Sequence, residues 1–341
     1  MCTLFFKIIK NNNRPGRRSL VRPFLFFLMI PEFNDIKNAA IRIGKYIRRT
    51  PVFTSRSINE ITGAELFFKC ENFQRVGAFK FRGACNAVFS LDEKVISNGV
   101  STHSSGNHAA ALALAASIRG AGSYIVMPDN APSIKKKAVK GYGAEITFCE
   151  PTLQAREATL DLVVERTSAT VIHPYNNFDV ICGQGTCAIE VLEDVEKPDV
   201  VITPVGGGGL LGGTAISVKN ISPSTTVYAA EPAGADDAYR SFKSGRLMPS
   251  VSPSTIADGL LTSLGELNFS IIQKYVDDIF TVPDESIVRA MRLIWERMKI
   301  IVEPSSAVPL AVVMDNPGIF RGKRVVVILS GGNVDIEKLP F

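Results

Sequence analysis

From Pro31 onward, short runs of β-branched residues alternate with amphipathic or alanine-rich stretches, and this alternation constrains the fold more than any other feature of the chain. Repeated strand-helix-strand units return the chain in one direction, so they build a mainly parallel sheet with helices on its faces, an α/β fold. Strands are expected at Leu66–Cys70, Gly99–His103, Ser123–Met127, Glu145–Phe148, Val200–Thr203, Val227–Ala230 and Val325–Leu329. Helical patterns lie between them at Ala78–Ser90, Asn107–Ile118, Ser133–Gly141, Leu153–Thr167 and Asp284–Lys299. Roughly 310 residues are more than one core usually organises, which predicts two lobes. The block from 101 to 170 reads as a small domain set within a larger one made of residues 31–100 and 171–341.

The net charge of +5 does not indicate an acidic partner. Lys7, Lys10, Arg14, Arg17, Arg18 and Arg22 all lie in residues 1–30, where no acidic residue occurs, so the rest of the chain is close to neutral. That leader is similar to an organellar transit peptide; a disordered extension, or a true start at Met29, are the other readings. Without import the compartment is the cytoplasm. No nucleic-acid partner is expected. No membrane is expected either, because the longest apolar run, Ala109–Ile118, falls short of the ~20 residues a spanning helix needs. Six cysteines lack C-x-x-C spacing, so neither a zinc site nor a disulfide framework is indicated. His103, His108 and His173 are read as hydrogen-bonded loop or core residues.

Three strands end in small-residue turns: Thr102–His108 (T-H-S-S-G-N-H), Pro204–Leu210 (P-V-G-G-G-G-L) and Leu329–Asn333 (L-S-G-G-N). At the carboxyl ends of parallel strands, glycine lets backbone N–H groups approach an anion, and a helix N-terminus adds positive potential. Any one such turn could simply close a βα connection. Three suggest one composite site. Gly207-x-Gly209-x-x-Gly212, with Glu231 about 20 residues later, also has the spacing of a dinucleotide fingerprint, so a nicotinamide-dependent oxidoreductase is a distant alternative. It leaves Ser104–His108 and Lys80 unexplained. Lys80 lies between Phe79 and Phe81, and desolvation there would favour the neutral amine used in Schiff-base chemistry; on spacing alone, a solvated lysine on a helix face is the better reading.

G-A-F-K-F-R-G around Lys80, S-S-G-N-H, G-G-G-G-L and S-G-G-N, in that order, resemble the fold-type II pyridoxal phosphate enzymes, the tryptophan synthase β-like class with two open twisted mainly parallel sheets. Within that class the chain is similar to the serine racemase and serine/threonine ammonia-lyase group, from about Phe33 to Ile336. Thr50-Pro51-Val52, Gly183-Gln184-Gly185-Thr186, Ile256-Ala257-Asp258-Gly259, Trp295–Lys299 and Val302-Glu303-Pro304 also match.

The resemblance implies conversion of L-serine to D-serine and to pyruvate plus ammonia. The alternative is a threonine or threo-3-hydroxyaspartate ammonia-lyase without significant racemase activity. It implies that Lys80 carries the cofactor and acts as base on one face of the substrate Cα–H, with Ser105 on the other. Gly206, Gly207, Gly208, Gly209 and Leu210 would hold the phosphate, Phe79 and Asn107 the ring, and Ser330 the pyridine nitrogen. Ser104, Ser105, Gly106 and Asn107 would bind the substrate carboxylate. Glu231, the backbone oxygen of Ala235, and Asp237 would ligate Mg²⁺ (or Ca²⁺ or Mn²⁺), hard cations suited to oxygen donors. A homodimer is implied as well. For ATP activation the match is partial: Lys299 and Asn333 match the nucleotide site of animal racemases, whereas those carry Lys-Thr at Arg75-Val76 and Gly-Gln at Ala109-Ala110. The chain ends soon after S-G-G-N, which leaves little room for a feedback-regulatory domain.

Overall fold

A computed structural model describes residues 29–131 and 133–341; the basic stretch 1–28, with the transit-peptide expectation, lies outside the described residues. The strands in chain order are Val52–Phe53 (β1), Glu65–Cys70 (β2), Val100–His103 (β3), Ser123–Pro128 (β4), Glu145–Cys149 (β5), Thr170–Val171 (β6), Val200–Pro204 (β7), Thr226–Pro232 (β8), Asp278–Val282 (β9) and Arg324–Leu329 (β10). All seven expected strands are present, with ends displaced by at most two residues. The additions are the two-residue β1 and β6, and β9. The longer helices are Phe33–Ile43 (α1), Lys80–Ser90 (α2), Asn107–Arg119 (α3), Ser133–Gly141 (α4), Leu153–Thr167 (α5), Phe178–Asp194 (α6), Gly209–Ile221 (α7), Asp237–Ser244 (α8), Glu266–Tyr275 (α9), Asp284–Met298 (α10) and Pro304–Asp315 (α11).

Two sheets form, as the fold class requires. The larger runs β1-β2-β10-β7-β8-β9 and the smaller β5-β4-β3-β6; every pairing is parallel except β1 with β2. The central strands of the larger sheet are apolar without interruption because both faces are covered. Val325 and Val327 enter one core with Phe68, Val200 and Ile202, while Val326 and Ile328 enter another with Val201 and Val227. The smaller sheet shares its core with α2 and α3: Val100, Ile125 and Met127 pack with Phe81, Ala84, Cys85 and Val88 and with the alanines of α3. That core therefore reaches back across residue 100.

Helix α6 has glycines in its middle, which helix propensity alone disfavours by about 1 kcal/mol each. Packing explains them. A Cβ on Gly183 would lie 2.5 Å from the Arg82 carbonyl oxygen, and one on Gly213 of α7 would lie 2.5 Å from the Gly185 nitrogen. Small residues here let α2, α6 and α7 approach backbone to backbone, which holds α2, with Lys80 at its first position, against the larger sheet's helices.

Candidate active site

Strands β7 and β10 are parallel neighbours, so the glycine turn after β7 and the Ser330–Asn333 turn after β10 open at one sheet edge. The segment before α2 runs antiparallel to the second turn: Phe79 N donates to Ser330 O at 2.9 Å, Gly332 N donates to Gly77 O at 2.9 Å, and Ala78 bridges Gly331. This pairing delivers Lys80 to the junction. Its Nζ donates to the Pro174 carbonyl at 2.9 Å and lies 5.2 Å from the Phe79 ring centre. Phe81, by contrast, points into the smaller sheet's core. Burial pulls the Lys80 pKa down to about 8, against the opposing field of Glu303, so a substantial fraction of the amine is neutral near physiological pH.

In the glycine turn, Gly208 has φ +89°, a conformation that L side chains rarely adopt. The turn's carbonyls are engaged elsewhere: Gly207 O accepts from Gly265 N and from Asn268 Nδ2 at 2.7 Å, and Gly208 O accepts from Gly212 N. The N–H edge and the N-terminus of α7 are thereby presented together, a cradle fitting a phosphate dianion. A Cβ on Gly207 would sit 2.2 Å from the Tyr175 ring, and that ring is 5.9 Å from Lys80 Nζ.

The third turn, Ser104 to Asn107, follows β3 and opens α3. Ser104 Oγ accepts from Gly106 N, and the first N–H groups of the helix have no intrahelical partner, which suits a carboxylate. Asn107 is tied across the site. Its Nδ2 donates to Glu303 at 3.0 and 3.2 Å, and its Oδ1 accepts from Asn333 Nδ2 at 2.9 Å. Burial, and next the charge of Asp258, push Glu303 up to about 7. Beside Asn107 opens a cleft of about 1000 Å³ lined by Arg48, Arg75, Val76, Ala110, Lys135 and Asn333, among others. Of the two positions that match the nucleotide site, Asn333 lines this cleft and Lys299 does not; of the departing positions, Arg75, Val76 and Ala110 line it and Ala109 is buried in the core.

Glu231 and Asp237 lie behind the glycine turn. Both Glu231 oxygens accept from the N-terminus of α8, at Ala238 N and Tyr239 N. Asp237 Oδ2 accepts from Leu264 N, and Asp237 Oδ1 is buried without a partner. Burial pushes Glu231 up to about 8 and raises Asp237 in the same direction. No three His, Cys, Asp or Glu side chains cluster among the described residues, so the candidate cation set is two carboxylates plus the Ala235 backbone oxygen. An orphaned oxygen and two carboxylates raised by burial fit a hard divalent ion.

Lys80, Phe79, Asn107, Ser330 and the glycine turn thus converge, with Ser104 to Gly106 at the edge. Sequence reading missed Pro174, Tyr175, Glu303 and Asn268 as contributors. Their signal is tertiary: Asn268 Nδ2 reaches Tyr175 O and Gly207 O from 93 and 61 residues away. The histidines surround the same spot in neutral form. His173 Nδ1 accepts from Tyr175 N and Asn176 N, and burial lowers its pKa to about 4. His108 Nε2 meets Ile172 O.

Residues 43–331 match the model of the pyridoxal-phosphate dependent enzyme family. A beta-hydroxyaspartate dehydratase of Paracoccus denitrificans is 52% identical over 92% of this chain and 100% of its own length. A serine racemase of Dictyostelium discoideum is 52% identical over 89% of this chain and 95% of its own. The crystal structure of Dictyostelium serine racemase superposes with a TM-score of 0.86, covering 89% of this chain and 99% of that one. Motifs, two-sheet topology and these matches agree: the chain belongs to the pyridoxal-phosphate dependent enzymes.

Proposed function

We propose that this protein is a pyridoxal-phosphate dependent amino-acid racemase and ammonia-lyase that converts L-serine to D-serine and to pyruvate plus ammonia. The observation that carries the reading is Lys80, half-buried with its Nζ on the Pro174 carbonyl and a lowered pKa where the three small-residue turns meet. Pyridoxal phosphate, when bound, supplies the electron sink for the electrons released at the substrate Cα. Gly206 to Gly209 and Leu210 would hold its phosphate, Phe79 and Asn107 its ring, and the neutral Ser330 hydroxyl its pyridine nitrogen. Ser104, Ser105, Gly106 and Asn107 would bind the substrate carboxylate. Lys80 takes the Cα proton on one face, and Ser105 gives or takes it on the other. Two faces served by two groups allow inversion; loss of the β-hydroxyl from the same carbanionic state gives the keto acid.

Around this centre, Mg²⁺ at Glu231, Ala235 O and Asp237 is the proposed structural cation, and ATP in the Arg75–Asn333 cleft the proposed activator. The two sheets are the proposed large and small domains, and two chains assemble as a homodimer in the cytoplasm. No helix among the described residues is long and apolar enough to cross a membrane.

The test is incubation with L-serine, L-threonine and threo-3-hydroxyaspartate, with and without Mg²⁺ and ATP, scoring D-serine and keto acid. L-Serine is expected to yield both products. Ser105→Ala is expected to lower racemisation at least about tenfold more than elimination; equal loss of both overturns the two-face assignment. Holoenzyme without a visible-edge absorbance, or with one that survives Lys80→Ala, overturns the whole reading. The identity along the full length of a beta-hydroxyaspartate dehydratase supports a second reading, threo-3-hydroxyaspartate ammonia-lyase; keto acid from that substrate with no D-serine from L-serine would select it.

A further inference from the structure

Nothing local fixes where α2 begins. Its N-cap residue, Phe79, is itself in helical conformation and its side chain makes no cap; the N–H groups of the start are held by distant partners, Phe79 N by Ser330 O and Gly83 N by Gln184 Oε1, so tertiary contacts set its register. Two residues after Lys80, on the opposite side of the first turn, Arg82 is completely buried. Its guanidinium forks to both oxygens of Glu71 at 2.8 Å and to both oxygens of Glu190 at 2.7 and 2.8 Å, and reaches Thr186. Lys69 Nζ closes the set on Glu190 at 2.6 Å and Thr50 O at 2.8 Å, and Thr50 Oγ1 donates to Glu71 at 2.6 Å.

Two cations and two carboxylates are therefore sealed away in a neutral cluster. Such clusters repay their desolvation poorly compared with apolar packing, so stability alone is a weak reason to build one. What this one does geometrically is tie both ends of the segment from Glu71 to Arg82. Within that segment the chain takes two consecutive left-handed residues, Val76 at φ 56° and Gly77 at φ 70°, pairs with Ser330 to Gly332, and presents Lys80.

We propose that Arg82 is a positioning residue for Lys80: its double fork sets the register of the α2 start and so aims Nζ at Pro174 O and the cofactor space. This rests on the reading of Lys80 as the cofactor-bearing lysine. The experiment compares Arg82→Lys, which can meet one carboxylate but cannot fork to both, with Lys69→Met, which perturbs the same cluster from its far side. On holoenzyme one measures the visible-edge absorbance and circular dichroism of bound pyridoxal phosphate, kcat and KM for L-serine, and the thermal midpoint.

Both variants are expected to lower the midpoint. Only Arg82→Lys is expected to weaken the dichroism of the bound cofactor and to lower kcat by at least about tenfold with KM little changed, the pattern of a misplaced reacting group. If Arg82→Lys does not fold, Glu71→Gln weakens the same fork and is read the same way. Equal dichroism and kcat per folded molecule in the two cluster variants overturn the inference alone. A wild-type chain without the absorbance, or one that keeps it in Lys80→Ala, overturns the reading of Lys80 and the inference with it.

Discussion

Two pairs of buried carboxylates are partnered in opposite ways. Glu71 and Glu190 sit among Arg82 and Lys69, and those cations hold Glu190 below the usual carboxylate range despite its burial. Glu231 and Asp237 are buried with no cation hydrogen-bonded to them, Arg240 being paired with Asp236 instead, and both rise. Burial is common to both pairs; the partner decides. A carboxylate neutralised within the chain is complete as it stands, whereas one raised for want of a counter-charge is set up to take a proton or a metal ion.

The largest test of this contrast is a pair of isosteric cuts. Glu71→Leu leaves Arg82 short of a partner in a sealed space and is expected to cost about 3–5 kcal/mol in urea unfolding. Asp237→Asn keeps an acceptor for Leu264 N while removing an unbalanced charge, and in cation-free protein it is expected to cost nothing or to stabilise. Similar losses in the two variants would erase the distinction. Next in size is the cation itself. Mg²⁺ at a hundredfold excess over its Kd is expected to add about 2.7 kcal/mol to unfolding free energy, and the gain is expected to vanish in Asp237→Asn.

The pH dependence follows with opposite signs. Glu231 has a folded pKa of about 8 against an ordinary 4.5, so its contribution is complete below pH 4.5 and is lost as pH rises through 8. Glu190, held low, contributes above its ordinary value and loses that contribution as pH falls through its folded one. The buried histidines, with His173 lowered to about 4, act in the opposite sense below their ordinary value, so the quantity to read is the difference between variants: cation-free wild type is expected to lose at least about 2 kcal/mol relative to Glu231→Gln between pH 5 and 8. Glu303 shifts the same way, up to about pH 7, and is present in both proteins, so it cancels in that difference. A slope unchanged by both Glu231→Gln and Mg²⁺ would remove the acid loop from the explanation.

Sequence alone reveals those parts of the molecule whose signal is local. Strands such as Arg324–Leu329 announce themselves because a parallel strand buried on both faces must be apolar throughout. Helix α6 hides because Gly183 and Gly185 look like breakers until α2 and α7 are seen pressed against them. The short β1 and β6 are defined by their neighbours rather than by composition. In the site, the three turns are legible because glycine at strand ends has few structural reasons to accumulate. Glu303 is visible as part of Val-Glu-Pro, but its bond to Asn107 spans 196 residues. Tyr175 carries no local mark at all, and only the tertiary fold places its ring over the glycine turn.

The smallest expected effect lies in the segment that the neutral cluster ties down. Val76 holds φ 56°, ψ 12°, where a β-branched residue is strained by about 1–3 kcal/mol. Asparagine tolerates that region, so Val76→Asn is expected to raise stability by about 1 kcal/mol, after the loss of Val76 packing against the smaller sheet's core is subtracted. Its carbonyl would still accept from Asn333 Nδ2. The informative quantity is the coupling with Glu71→Leu. If the cluster sustains the strained segment, releasing the anchor lets the strain relax on its own, and Val76→Asn gains less in the Glu71→Leu background than in the wild type. Strict additivity would mean that the two features merely sit near one another, since independent sites add to within about 0.5 kcal/mol. A net loss in the single variant would show that the side chain's packing outweighs its backbone strain.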